Sequence, residues 1–290
     1  MAEEEKTYGA AIAIIGSPNV GKSTLLNRIL GKKISIVSDK PQTTDKRVLG
    51  VLTRDNRQLI FYDTPGIGKP IGERAARVNR IAEEAKFETD VIVWVLDAGK
   101  GMGENDRKIY AGLKAAEKPI VLVINKMDLS ANMKIVPLVE ELNRDGKIRE
   151  FVPLSAKEGQ NVDRLLTVLF NLAPENPFLY GKEEITDQSD EEVVSEFIRE
   201  QIFINSDKEL PYTTTIELQS FKKMPDGTYT AEALVYAENA RHRMILIGKE
   251  GAFVRNVRLF AQKRLKEYFG KKVALELRVK VRKPGGAPSA

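Results

Sequence analysis

A lysine and a serine stand directly behind the second glycine of Gly16-Ser-Pro-Asn-Val-Gly21-Lys22-Ser23. Glycines at this spacing let backbone N–H groups close around phosphate oxygens at the start of a helix, where the helix dipole also favours negative charge. Lys22 can then reach β- and γ-phosphates, and Ser23 can ligate Mg²⁺. The preceding run, AIAIIG, reads as a buried strand, and residues 21–30 read as a helix. That context separates the motif from a chance glycine turn. Asn19, Val20, Gly21, Lys22, Ser23 and Thr24 are the candidate phosphate-binding residues.

Three further sets follow in order. Asp63-Thr64-Pro65-Gly66 ends a second apolar run, LIFYDTPG. There Asp63 can hold a magnesium shell, and the Gly66 N–H can face a γ-phosphate. Asn125-Lys126-Met127-Asp128 ends another run, and Asp128 can accept hydrogen bonds from N1–H and the exocyclic amine of guanine. Adenine lacks that donor pair, so a buried carboxylate rejects it. Ser155-Ala156-Lys157 ends the last run, where it can support the base. A threonine in Asp39-Lys-Pro-Gln-Thr43-Thr44-Asp45, a polar stretch, would complete the magnesium shell when a γ-phosphate is present.

The elements that must position these residues alternate. AIAIIG, LIFYDTPG, DVIVWVLDA, PIVLVINKMD and the shorter FVPLSA read as strands buried on both faces of a parallel sheet. Helical stretches are expected at 21–30, 72–87, 103–116, 132–144 and 161–172. Strand–helix alternation predicts an open α/β domain over residues 1–175. Every motif falls at a strand's C-terminal end, where such sheets bind ligands. Collectively the motifs resemble the translation-factor-like branch of GTPases.

That resemblance selects Thr44 over Thr43 as the metal ligand, although Asp45 replaces the Arg of the related Thr-Thr-Arg. It makes Lys22, Thr44 and Gly66 the catalytic candidates, with Ser23, Thr44 and Asp63 as the metal set. Ile67 stands where Ras-type GTPases carry a water-orienting Gln, and isoleucine cannot align water by hydrogen bonding. Slow intrinsic hydrolysis is the expectation. Related GTPases with an Asn inside the phosphate loop, here Asn19, use K⁺ in place of an arginine finger. The implied cofactors are therefore GTP or GDP and Mg²⁺, with K⁺ as a further candidate.

The net charge of +5 is unevenly distributed. Residues 183–238 carry 4 Lys and Arg against 14 Asp and Glu, whereas residues 239–290 carry 14 against 3. So basic a block suggests a polyanionic partner. No apolar run approaches bilayer-spanning length. The acidic MAEEEKTYGA start is unlike a signal or transit peptide. With no cysteine, disulfides and thiolate metal sites are excluded, and a cytoplasmic location is expected.

NLAPENPFLYGKEE interrupts the α/β pattern with prolines and polar residues and predicts an interdomain linker at 176–186. Beyond it the organisation changes. Residues 190–203 look helical, with Val193, Phe197 and Ile198 as the apolar stripe. TTTIELQSF and TYTAEALVYAE alternate as half-buried strands around KMPDGT. Helices at 241–247 and 252–269 flank Gly248-Lys-Glu-Gly251, VALELRVKVR closes as a strand, and 284–290 form a disordered tail. This α-β-β-α-α-β order resembles a type II KH domain, here an α+β domain over 187–283.

In that family the glycine turn lets backbone approach about four nucleotides of a single strand. Ile247, Gly248, Lys249, Glu250, Gly251, Arg255 and Arg258 become the RNA-binding candidates. Past the turn, Val254, Val257, Ala261, Leu265 and Tyr268 should face the core. Arg255, Arg258 and Lys266 should share another face; Phe253 and Phe260 could stack on bases, but at helical spacing they are read as core.

A GTPase joined to a type II KH domain resembles the Era family over roughly residues 8–283. The resemblance rests on GSPNVGKSTLLN, QTTDKR, DTPG, NKMD, SAKEG, ELPYT and MILIGKEG. It implies single-stranded rRNA near the 3′ end of 16S rRNA and the small ribosomal subunit as partners, with no DNA. Ordering of residues 35–47 and 66–80 by the γ-phosphate is the expected switch. The competing reading is a GTPase peripheral to the inner face of the cell membrane, docked on anionic lipid through its basic C-terminal block. It predicts a large apolar face beside the cations.

Overall fold

The computed structural model describes residues 6–37, 48–64, 88–129, 135–206 and 210–282. The chain forms two compact units that divide between Asp187 and Gln188. The helix expected at 72–87, Thr43, Thr44, Asp45, Gly66, Ile67 and the tail at 284–290 lie outside the described residues.

The first unit is a six-stranded sheet with flanking helices. Its strands are β1 (Tyr8–Ile15), β2 (Val48–Arg54), β3 (Arg57–Asp63), β4 (Val91–Asp97), β5 (Ile120–Asn125) and β6 (Ile148–Pro153). They lie in the order β2-β3-β1-β4-β5-β6. Only the β2–β3 pair is antiparallel. The helices are α1 (Lys22–Leu30), α2 (Glu104–Lys114), α3 (Ile135–Asp145) and α4 (Val162–Leu172). β4 and β5 are buried at every position, as continuous apolar runs in a covered parallel sheet must be. Trp94 anchors this core, stacked on Tyr110 with ring centroids 5.0 Å apart.

Register brings the chemistry to one edge. Ile14 pairs with Asp63, Asp97 with Asn125, and Ile124 with Pro153. The C-terminal ends of β1, β3, β5 and β6 therefore lie along one edge of the sheet. β2 is an addition to the strands legible in the sequence. Its run VLGVLTR is broken by Gly50, where a Cβ would strike Leu30 Cδ1 at 2.6 Å, so helix packing requires the residue that obscures the strand.

The second unit comprises α5 (Asp190–Asn205), a single turn α6 (Leu210–Thr213), β7 (Thr215–Lys223), β8 (Tyr229–Ala237), α7 (Ala240–Ile247), α8 (Ala252–Phe269) and β9 (Val273–Val281). β7 and β8 are antiparallel, and β9 joins β8 in parallel. α5 opens on a capping box, in which Ser189 Oγ accepts from the Glu192 N–H and Glu192 Oε2 accepts from the Ser189 N–H. Val193, Phe197 and Ile198 from α5 bury against Val257, Ala261 and Leu265 from α8, with Ala231, Val235 and Leu275 from the sheet. Val254 and Tyr268 are half-buried.

The segment at 176–186 is not a free tether. Asn176 Nδ2 donates to Gly9 O at 3.2 Å, and the Val51 N–H donates to Ile185 O at 2.9 Å. Thr186 Oγ1 donates to Leu49 O at 2.8 Å. At the centre is Gln58 of β3, 1% exposed. Its Oε1 accepts from the backbone N–H groups of Leu179 and Tyr180. Its Nε2 donates to Tyr180 O at 2.9 Å and Thr53 Oγ1 at 3.0 Å. Prolines and polar residues made the segment read as a linker, whereas its backbone is held by a distant carboxamide. Gln58→Leu keeps side-chain volume but orphans these backbone groups. It should lower the stability of the first unit by about 2 kcal/mol and expose residues 176–186 to limited proteolysis. An unchanged urea midpoint and cleavage pattern would reject the clamp.

Candidate nucleotide site and glycine turn

The phosphate loop is set by backbone geometry that its sequence permits. Gly21 caps α1 in a left-handed conformation with φ 99°, and a Cβ there would collide with the Asn125 carboxamide. At Gly16 a Cβ would meet Val95 O at 2.5 Å. Asn19 is also left-handed, at φ 62°. The loop is braced from outside by Asp106 of α2, whose Oδ1 accepts from Ser17 Oγ at 2.5 Å.

Lys22 folds over this loop. Its Nζ donates to Gly16 O and Ser17 O, each at 3.1 Å. Burial lowers its pKa to about 8, with Asp63 and Asp106 acting in the opposite direction. A buried ammonium whose hydrogen bonds go to neutral carbonyls, and whose pKa stays lowered despite Asp63 and Asp106, is under-compensated, and a phosphate supplies further negative charge.

Asp63 closes the other side and is completely buried. Its Oδ2 accepts from Ser23 Oγ at 2.6 Å and from Ser35 Oγ at 2.8 Å, while Oδ1 has no hydrogen-bond partner. Burial raises its pKa, against the pull of Lys22 and the two hydroxyls. An orphaned buried carboxylate oxygen beside a serine hydroxyl fits a hard cation. Among the described residues no group of three or more His, Cys, Asp and Glu forms an all-protein metal cage.

The base-side loops are tied to the phosphate loop by two side chains. Asn125 Nδ2 donates to Val20 O at 2.8 Å, and its Oδ1 accepts from the Ala156 N–H at 2.9 Å. Lys126 Nζ donates to Asn19 O at 2.7 Å and pairs with Asp97 Oδ2 at 2.9 Å. Ser155 Oγ donates to Asp128 Oδ1 at 2.6 Å, fixing the carboxylate that would read the base. The Lys157 side chain is exposed beside Glu158. Arg28 supports this loop from α1, donating to Ala156 O at 3.0 Å and also to Lys157 O. Thr24, Arg28, Lys32, Lys33, Ala156 and Lys157 line a cavity of about 370 Å³ beside these loops.

The structure thus brings Asn19, Val20, Gly21, Lys22, Ser23 and Asp63 together with Asn125, Lys126, Asp128, Ser155 and Ala156. Ser35, Asp97, Asp106 and Arg28 were missed by sequence reasoning. Each lies far along the chain from the group it holds, and no local spacing marks it.

In the second unit, a tight turn over Lys249–Gly251 joins α7 to α8, with Glu250 in the left-handed region at φ 52°. Gly248 has φ 74°, and a Cβ there would meet Phe253 N and Cβ at 2.8 Å. Gly251 has φ 76° and open space around it. Lys249 and Glu250 are exposed at the tip, and Ile247 is half-buried. Arg255 and Lys266 are exposed, but Arg258 is half-buried with its Nε shielded and unpartnered, so the three do not form one equally open face. Phe253 packs against the core as expected. Phe260 does not, being 49% exposed.

The class follows from the pairing of the two units: a P-loop GTPase continued by a KH domain. Residues 11–126 match the family described as 50S ribosome-binding GTPase, and residues 209–286 match the KH domain. The chain belongs to the GTPase Era family. It is 35% identical over 283 residues to GTPase Era of Lactobacillus delbrueckii subsp. bulgaricus, covering 98% of this chain and 94% of that protein. It is 39% identical over 272 residues to GTPase Era of Clostridium kluyveri, covering 94% and 93%. Among solved structures it is similar to Era in complex with MgGDPNP and nucleotides 1506–1542 of 16S ribosomal RNA. The TM-score is 0.89 at 34% identity, covering 96% of this chain and 95% of that one. Aquifex aeolicus Era bound to GDP and AlF₄⁻, a single-substitution variant, matches with the same TM-score, identity and coverage.

Asp128→Asn should weaken GTP binding about hundredfold or more and shift preference toward xanthosine triphosphate, because an amide cannot accept from both guanine donors. Competition binding with the two nucleotides measures this, and unchanged GTP preference would remove Asp128 from base recognition.

Proposed function

We propose that this protein is a GTP-hydrolysing switch that binds single-stranded rRNA near the 3′ end of 16S rRNA during small-subunit assembly. The observation that carries the reading is the near-full-length match to an Era structure holding both MgGDPNP and 16S nucleotides. Under this reading, the first unit takes the nucleotide and the second unit takes the RNA. In the reading, Lys22 and the N–H groups around Gly21 hold the β- and γ-phosphates. Asp128, braced by Ser155, selects guanine. Ser23 and Asp63 hold Mg²⁺, joined by Thr44, and the ion neutralises phosphate charge when bound.

Hydrolysis joins one water to the γ-phosphorus and releases GDP and phosphate. Ile67 follows the DTPG segment, so in this reading water is aligned by backbone groups, at Gly66 and at Thr44, rather than by a side-chain base at position 67. The intrinsic rate is accordingly slow, and Asn19 marks K⁺ as a candidate activator. In the second unit Ile247, Gly248, Lys249, Glu250 and Gly251 clasp the RNA backbone, with Arg255 and Arg258 adding charge.

The protein works in the cytoplasm in this reading. Among the described residues no helix is long and apolar enough to cross a membrane. Peripheral docking on lipid requires a large apolar face, whereas Val257, Ala261 and Leu265 of the basic α8 are buried in their own core and its exposed large apolar side chains are Leu259 and Phe260.

The deciding experiment titrates RNA of nucleotides 1506–1542 into the protein by fluorescence anisotropy, with GDP and then with GDPNP. Binding in at least one state is expected, and the ratio of the two affinities gives the coupling free energy between sites. No binding in either state would overturn the reading. Gly248→Asp would press against Phe253, so Lys249→Asp at the exposed tip is the cleaner probe. It should weaken RNA binding about tenfold while leaving GDP affinity unchanged.

A further inference from the structure

The phosphate loop is tied to its surroundings from two directions. On the base side Asn125 donates to Val20 O and Lys126 to Asn19 O, and both belong to the Asn-Lys-Met-Asp motif. On the other side the tie comes from the start of α2, which carries no nucleotide-reading motif. Ser17 Oγ donates to Asp106 Oδ1 at 2.5 Å and accepts from Asn105 Nδ2 at 2.8 Å. Asp106 Oδ2 accepts from the Gly103 N–H at 3.0 Å. One carboxylate oxygen therefore serves the helix start, and the other serves the phosphate loop. Asp106 is 8% exposed, an uncommon depth for an aspartate whose hydrogen bonds come from a hydroxyl and a backbone amide. Capping α2 accounts for one of those bonds and leaves the other to be explained.

Ser17 matters through its carbonyl. Lys22 Nζ donates to Gly16 O and Ser17 O, each at 3.1 Å. Gly16 is walled by β4, where a Cβ would meet Val95 O at 2.5 Å. One anchor of the ammonium is thus set by the sheet, and the other is set by α2 through a side chain. A hydrogen bond to an ionised carboxylate is about twice as strong as one between neutral groups, which suits a tie that must hold its place when phosphate arrives. Any shift of Ser17 carries Lys22 with it, and a misplacement of about 1 Å can cost roughly a hundredfold in rate.

We propose that Asp106 is a positioning residue for GTP hydrolysis: through the Ser17 hydroxyl it fixes the carbonyl that orients Lys22 toward the γ-phosphate. It acts without touching the nucleotide. The inference rests on the assignment of Lys22 to the β- and γ-phosphates above, and it adds to the hydrolytic machinery a residue that lies outside every nucleotide-reading motif of the chain.

The test uses the full chain and measures single-turnover hydrolysis at saturating GTP, the KM for GTP, and the thermal unfolding midpoint with GDP. Ser17→Ala removes the hydroxyl and leaves Asp106 on its cap, whereas Asp106→Asn removes the charged acceptor. Each should slow single-turnover hydrolysis about tenfold, with little change in KM, as expected for a contact that counts mainly in the transition state. The double variant should be no slower than the slower single variant, because both cut the same link. Ser17→Thr keeps the hydroxyl and should restore the rate. Lower unfolding midpoints with unchanged single-turnover rates would overturn the proposal, by reducing Asp106 to a helix cap. So would a loss in Asp106→Asn that Ser17→Ala does not share, or losses that add in the double variant. Equal losses in Ser17→Ala and Ser17→Thr would also overturn it, by placing the effect on the shape of the loop; this pair decides the matter even if Asp106→Asn does not fold. Lys22→Ala is the separate check: unchanged hydrolysis there would remove the assignment of Lys22 and this inference together.

Discussion

One carboxamide holds the nucleotide end of the first unit in a single arrangement. Asn125 ends β5, donates to Val20 O in the phosphate loop, and accepts from the Ala156 N–H in the loop after β6. It also lies so close to Gly21 that no side chain fits there. Three loops from three strands are thereby fixed to one planar group that is almost wholly buried. Phosphate position, base position and the start of α1 cannot vary independently. A site that must hold a long, rigid ligand at both ends needs that kind of pre-organisation. Lys126 repeats the tie one residue on, linking Asn19 O to Asp97.

The buried charges have a related logic. Lys22 and Asp63 are both withdrawn from water, and burial is the largest influence on each, lowering one pKa and raising the other. Neither group is well compensated by protein alone. Lys22 takes loop carbonyls, and Asp63 keeps one oxygen without a partner. Such strain is retained where a ligand relieves it, here a phosphate for the ammonium and a cation for the carboxylate.

What the sequence disclosed was whatever short spacing encodes. Gly16 to Ser23, the Asp63 and Asp128 strand ends, and the turn from Gly248 to Gly251 all announce themselves within a few residues. The apolar runs of β1, β4 and β5 were equally plain because both faces of each strand are covered. The remainder depended on distance along the chain. Ser35 on Asp63, Asp106 on Ser17 and Arg28 on Ala156 are side chains of ordinary type, recruited by the fold rather than by a motif. β2 was hidden by Gly50, which is required by helix packing but weakens a strand's signature. Phe260 was assigned inward because aromatic residues at helical spacing usually pack, yet the rows through Val257, Ala261 and Leu265 already fill that side of α8.

The segment from Asn176 to Thr186 changes how this protein can be divided. β2 is an edge strand, and its outer side is covered in part by Ile185 and Thr186. Cutting the chain at residue 175, where the α/β pattern ends in the sequence, would strip that cover from a Val- and Leu-rich edge and leave the Gln58 carboxamide without its backbone partners. Unpaired edges of this kind recruit other chains. The segment therefore serves the first unit as a guard against self-association, and a soluble excised GTPase domain has to carry it through Asp187.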